Sequence, residues 1–235
     1  ITDRDMVLGS RLVTLTVNED LSRYEDIASW IGDGLVAYYA LDGDEKDSGP
    51  NGYDLENQNA LSATDRFGRA NGAYYFERDK LSALVSQEGA IYPTGKDSRS
   101  ITFWVRTLQD REAVYKNYPI LSLDDPTIGD YKGSNFPLYT SRHGHIWFDG
   151  AYGGYAYHEF YEHESLKNWR HVVLTFHENL WKLYVDGDLM EWSNKPPLDY
   201  EWDTKQGVRL YLGHFRNNYF EGYLDVVRIY DRAIT

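Results

Sequence analysis

Aromatic side chains set beside glycines are the densest chemical signal in this sequence. Trp147, Phe148, Tyr152, Tyr155, Tyr157, His158, Phe160, Tyr161 and His163 all fall within residues 147–163, where Gly150, Gly153 and Gly154 interrupt any long strand. Flat rings cover the C–H face of a pyranose, while Tyr, His and Asp side chains bond its hydroxyls. Trp147, Asp149, Tyr152, Tyr155, Tyr157, His158 and Tyr161 are therefore the candidate ligand-binding residues, with Asp149 and His158 as orienting groups. The competing reading is a hairpin whose rings alternate between core and surface, and the spacing of Tyr155 with Tyr157 fits it. Residues 131–139 and 192–202, also aromatic and proline-bearing, are the alternative loops.

A second constellation is acidic. Asp42, Asp44 and Asp47 lead into Ser48-Gly49-Pro50, and Asp225 stands near the C-terminus. Hard cations such as Ca2+ take about six to eight oxygens from carboxylates and carbonyls, and turn glycines let such groups converge. The spacing is not that of an EF-hand loop, because Tyr53 stands twelfth from Asp42 where a Glu is needed. A solvated turn around Asp47 accounts for the same residues without a metal.

Other chemistries are weakly supported or excluded. Retaining glycoside hydrolysis needs two carboxyls about 5–5.5 Å apart. Jelly-roll glucanases supply them as Glu-x-Asp-x-x-Glu on one strand face. Glu77-Arg78-Asp79 begins that pattern, but Ser82 ends it. No G-x-S-x-G elbow and no H-E-x-x-H pair occurs. The absence of cysteine rules out disulfides, thiolate zinc sites and thiol nucleophiles. A net charge of −13 argues against nucleic acid, whose phosphates need clustered Lys and Arg. No run of about 18 apolar residues exists, so no membrane span is expected. The chain starts at Ile1 without an initiator Met and reads as part of a longer protein.

The elements that must hold these residues are strands. LVAYYAL, AYYF, SITFWVR, HVVLTF, WKLYV, RLYL and GYLDVVRIY are short and rich in β-branched and aromatic residues, and Gly, Asn, Asp and Pro separate them. Asp186-Gly187 between WKLYV and DLMEW is the signature of a two-residue hairpin. The expected inward positions are Trp104, Val105, Val172, Leu174, Tyr184, Val185, Val227 and Ile229. Residues 1–33 differ: 11–17 (RLVTLTV) alternate as a strand, and 20–31 carry apolar residues at helical spacing with Gly32 as a stop. An all-β, two-sheet antiparallel sandwich over 34–235, preceded by a short helical extension or linker, is the expected architecture.

Several segments carry a family resemblance. GLVAYYALDGDEKDSGPNG at 34–52, NWRHVVLTFHENLWKLYVDGDL at 168–189 and YFEGYLDVVRIYDRAIT at 219–235 resemble the opening loop, the W-x-H-V … L-Y-V-D-G hairpin and the closing strand of laminin-G-like jelly rolls. Together with SITFWVR they cover about residues 34–235 in the family's order, although Val226 stands where that family usually has Glu. The resemblance implies a concanavalin A-like jelly roll and a structural Ca2+ held by Asp42, Asp47 and Asp225. It also implies a recognition role outside the cytoplasm, toward a glycan or glycoprotein. A protein–protein adhesion domain and a glycoside hydrolase of the same fold are the rival readings.

Overall fold

A computed structural model describes residues 6–8, 11–13, 31–108, 118–125, 136–140, 146–148, 158–160, 167–178, 180–190 and 206–234. In chain order the strands are β1 (Met6–Leu8), β2 (Arg11–Val13), β3 (Leu35–Tyr39), β4 (Leu55–Gln58), β5 (Leu61–Ala63), β6 (Ala73–Phe76), β7 (Ala83–Ser86), β8 (Arg99–Thr107), β9 (Tyr118–Asp124) and β10 (Phe136–Thr140). They continue as β11 (Ile146–Phe148), β12 (His158–Phe160), β13 (Arg170–His177), β14 (Leu180–Val185), β15 (Asp188–Leu189), β16 (Arg209–Leu212), β17 (His214–Phe215), β18 (Asn218–Tyr219) and β19 (Gly222–Tyr230).

Two antiparallel sheets form the sandwich. One runs β12-β11-β10-β9-β16-β7-β4; the other runs β15-β14-β13-β8-β19-β6-β5, with β3 also paired to β19. Strict alternation along β8 sends Ile101, Phe103 and Val105 into the core and Thr102, Trp104 and Arg106 to the opposite face. Val172, Leu174 and Phe176 from β13, and Leu224, Val227 and Ile229 from β19, join the same core. Across the interior, Phe136 of the first sheet stacks on Trp181 of the second at 4.7 Å and 10°.

Of the expected inward positions, Val105, Val172, Leu174, Val185, Val227 and Ile229 are core residues. Trp104 and Tyr184 are not. Each is an immediate neighbour of a buried valine in its strand, so the pleat turns it outward. The Asp186-Gly187 turn has φ of 51° and 90° at its two central residues, as a type I′ hairpin needs, and joins β14 to β15. Near the N-terminus, β2 pairs with β1. The helical expectation over 20–31 lies outside the described residues except at Ile31, which with residue 32 is helical.

Strand β19 is irregular at one point. Asp225 pairs with Trp104 and Arg228 with Thr102, so β19 holds one residue more than β8 over this stretch. That residue is the bulge at Val226, whose φ is +50°.

Leu174→Ala should cost about 2–5 kcal/mol, since it removes buried methyls and leaves a cavity. Its neighbour Val173, on the opposite face, should cost less than about 1 kcal/mol on the same change. Urea unfolding of the two variants measures both, and equal losses would mean that the assigned register of β13 is wrong.

Candidate functional site

The three carboxylates expected to share a cation have separate occupations. Asp47 is an amide acceptor: its Oδ1 takes the N–H groups of Tyr38 (2.8 Å) and Gly49 (2.7 Å), and its Oδ2 that of Tyr53 (2.8 Å). A Cβ at Gly49 would stand 2.7 Å from Asp47 Oδ1 and 3.0 Å from the Tyr38 amide, so only glycine fits there. Asp42 is exposed. Asp225 is fully buried and its Oδ2 is ion-paired to Arg66 Nη1, while its Oδ1 meets no hydrogen-bond donor. Among the described residues, no group of three or more His, Asp or Glu side chains is placed to hold a metal ion. Three amide donors at Asp47 and a guanidinium at Asp225 do not fit a calcium cage built from this set. The Asp47 loop is a turn organised by backbone amides.

The outward face of the β19-containing sheet is where chemically versatile side chains meet. In one row across the strands, Tyr75 pairs with Tyr223 and Tyr223 with Arg106. The two tyrosine rings are 4.9 Å apart, and Arg106 Cζ lies 4.1 Å from the Tyr223 ring and 5.6 Å from that of Trp169. All four side chains are half-buried. Tyr75 Oη donates to Glu221 Oε1 at 2.5 Å, and the Arg78 amide donates to Glu221 Oε2 at 2.9 Å. The row is thus a set of rings and a guanidinium, edged by a carboxylate held in place by two donors.

The next row along the same face joins Asp225, Trp104 and His171. Arg66 reaches onto it from the β5–β6 loop and lies 4.6 Å over Trp104. Burial, together with Asp42 and Asp65, pushes Asp225 up to about 7 in spite of Arg66. His171 packs 5.1 Å from Trp104, and its amide is held by Asp186 Oδ1 at 2.8 Å.

The aromatic segment singled out from sequence is only partly described. Trp147 lies in β11 opposite Tyr139 and Glu159, and His158 in β12 opposite Phe148. Asp149, Tyr152, Tyr155, Tyr157 and Tyr161 lie outside the described residues, as do all of 192–202 and residues 131–135. Strands β11 and β12 extend the other sheet, so Trp147 and His158 belong to a different layer from the Tyr75–Trp169 row. The hydrolase-like start at Glu77 is a 3-10 turn over Arg78–Lys80 rather than a strand face. Sequence reading passed over Tyr75, Arg106, Trp169 and Tyr223 because no local cluster marks them. Alternation within AYYF, SITFWVR and GYLDVVRIY was the available signal.

Comparison with known proteins agrees with this architecture. The family model described as the concanavalin A-like lectin/glucanases superfamily matches residues 82–235. No curated protein matches the sequence. Among solved structures, domain 4 of AbnA, a GH43 extracellular arabinanase from Geobacillus stearothermophilus in complex with arabinotriose, is similar at 18% identity and a TM-score of 0.60. The match covers 86% of this chain and 94% of that one. The binding domain of Paraclostridial Mosquitocidal Protein 1 is similar at 18% identity and a TM-score of 0.64, over 87% of this chain and 50% of that one. Botulinum neurotoxin type C, described as depending on two ganglioside molecules for cell entry, is similar at 13% and 0.62, over 88% and 50%. The chain therefore spans about half the length of the toxin structures it matches.

Burial, aided by Arg228 and Arg66 and opposed by Asp186, pushes His171 down to about 4. An unfolded histidine titrates near 6.5, so between about pH 6.5 and 4 only the unfolded chain binds this proton. Stability from His171 is complete above about pH 6.5 and falls by about 3 kcal/mol on acidification to about pH 4. Asp225 slopes the other way, since its raised value makes the folded state hold the extra proton between about pH 4 and 7. Subtracting His171→Gln from wild type isolates the histidine. Urea unfolding from pH 7 to 4 should show that difference shrinking by about 3 kcal/mol, and a constant difference would mean that native His171 is protonated.

Proposed function

The chain belongs to the concanavalin A-like lectin/glucanases superfamily, and from that membership we propose that it is a non-catalytic, extracytoplasmic glycan-recognition domain. The observation that carries this reading is the row of Tyr75, Tyr223, Arg106 and Trp169 on the outward face of the sheet. A sugar ring stacks on Tyr223 or Trp169 through its C–H face, which displaces water from both partners. The Arg106 guanidinium and the Glu221 carboxylate then supply donors and acceptors for hydroxyls at the edge of the row. Because strands carry Tyr75, Tyr223 and Arg106, with Trp169 and Glu221 one residue before β13 and β19, little conformational entropy is lost on binding. The arabinotriose complex of the arabinanase domain and the ganglioside dependence of the neurotoxin support a sugar as the ligand class. The likeness to the binding domain of Paraclostridial Mosquitocidal Protein 1 supports a role without bond cleavage.

The aromatic stretch at 147–161 is the competing location for the platform. The two are separated by one experiment. A glycan array read with the chain identifies the tightest ligand, and calorimetry on that ligand follows for four variants. Tyr223→Ala and Trp169→Ala should each weaken binding by about tenfold or more, equivalent to about 1.4 kcal/mol, with unchanged melting. Loss confined to Tyr152→Ala and Tyr155→Ala would move the site to that stretch. An array without any bound glycan would redirect the reading to a protein partner.

A further inference from the structure

The carboxylates that edge the rows on the outward face of the β19-containing sheet are all committed. Asp225 is ion-paired to Arg66, and Asp186 to Arg170 at 2.6 Å. Glu221 accepts Tyr75 Oη and the Arg78 amide. Two guanidinium groups are left over. Among the described residues neither Arg106 nor Arg228 has an ion-pair partner, and the Nε of each is buried without an acceptor. Each lies instead over a tyrosine ring, Arg106 Cζ 4.1 Å from Tyr223 and Arg228 Cζ 4.3 Å from Tyr38. A guanidinium held against a ring is fixed in place, and its charge stays available to an anion.

Pairing along the sheet sets the distance between the two cations. Arg106 stands opposite Tyr223, and Arg228 stands between Thr102 and Tyr38. Their rows are four residues apart along β8, about 13 Å, with half-buried Trp104 between them. That is farther than one sugar ring reaches. We propose that the ligand of this face is an acidic glycan, a linear chain with carboxylates on its rings, running along β8 from the Arg106 row to the Arg228 row. The inference rests on the reading of the Tyr75–Trp169 row as a sugar platform and adds the charge of the sugar. A planar guanidinium matches a carboxylate with two parallel hydrogen bonds, stronger than those to a neutral hydroxyl. The net charge of −13 repels an acid at long range, but beyond about 8 Å physiological salt screens it, so the two local cations decide.

The test uses the whole chain with oligogalacturonate, oligomannuronate and hyaluronan oligomers, each beside its carboxyl-reduced form, in which every carboxylate has become a primary alcohol. Calorimetry should find binding of at least one acid, with its reduced form weaker by about tenfold or more. This comparison needs no variant. Arg106→Gln and Arg228→Gln should each weaken the acid by about tenfold and the reduced form by less than about threefold. Arg106→Lys and Arg228→Lys keep the charge, should lose less than the glutamine variants, and serve if a glutamine variant does not fold. Acid and reduced forms bound equally would overturn the inference and leave the sugar reading in place, as would binding of neutral array glycans alone. Acid binding that is indifferent to Arg228→Gln would overturn the two-cation site. Failure of every acid, every reduced form and every array glycan to bind would remove the sugar reading as well.

Discussion

One extra residue in the closing strand decides what this sandwich shows to its surroundings. Along LDVVRIY, an unbroken pleat would send either Asp225, Val227 and Ile229 inward together, or Leu224, Val226 and Arg228. Each choice buries a charge in the apolar interior, which is far more costly than a local distortion. The bulge at Val226 resets the alternation between the two halves of the strand. Leu224, Val227 and Ile229 then all face the core, while Asp225 and Arg228 both face away. A valine at φ +50° costs about 1–3 kcal/mol, and the misplaced charge it avoids outweighs that. Val226 is also the position at which this sequence departs from the laminin-G-like pattern.

Both flanks of β19 depend on that reset. On one side it pairs with β8 along both halves; on the other, β6 pairs with the part before the bulge and β3 with the part after it. The first half contributes Tyr223 to the aromatic row, and the bulge presents Asp225 to Arg66. The second half contributes Arg228, which lies 4.3 Å over the ring of Tyr38. The proposed binding row and the internal ion pair are therefore neighbours on one surface, set by one strand.

The acidic character of the chain has a structural use that its composition does not reveal. Asp47, Asp65 and Asp186 each accept backbone amides and hold a turn or loop in shape. A carboxylate that accepts N–H groups from its own loop is fixed in orientation and fixes the loop in turn. Aspartates grouped around glycines are therefore ambiguous in a sequence, because a metal loop and an amide-organised turn need the same residue types. Here Gly49 lies so close to the Asp47 carboxylate that only a residue without a Cβ fits the turn.

Sequence alone determined the all-β class, the antiparallel sandwich and most strands of one sheet, together with β16 of the other. Strands β3, β6, β8, β13, β14 and β19 carry aromatic and β-branched residues, and most of them alternate, so their inward faces follow from local pattern. The other sheet was less legible for physical reasons. In YPILSLD of β9 every residue is buried, which erases the alternation, and Pro119 and Pro137 argue against the strands they occupy. LENQ of β4 is polar because three of its four residues are exposed. What only the tertiary structure decided is which residues meet. Alternation marks Arg106 and Tyr223 as outward, but their contact with Tyr75 and Trp169 depends on the order of β6, β19, β8 and β13. The pairing of Arg66 with Asp225 joins a loop to a strand from opposite ends of the domain, and no local pattern encodes a contact that exists only once the sheet has closed.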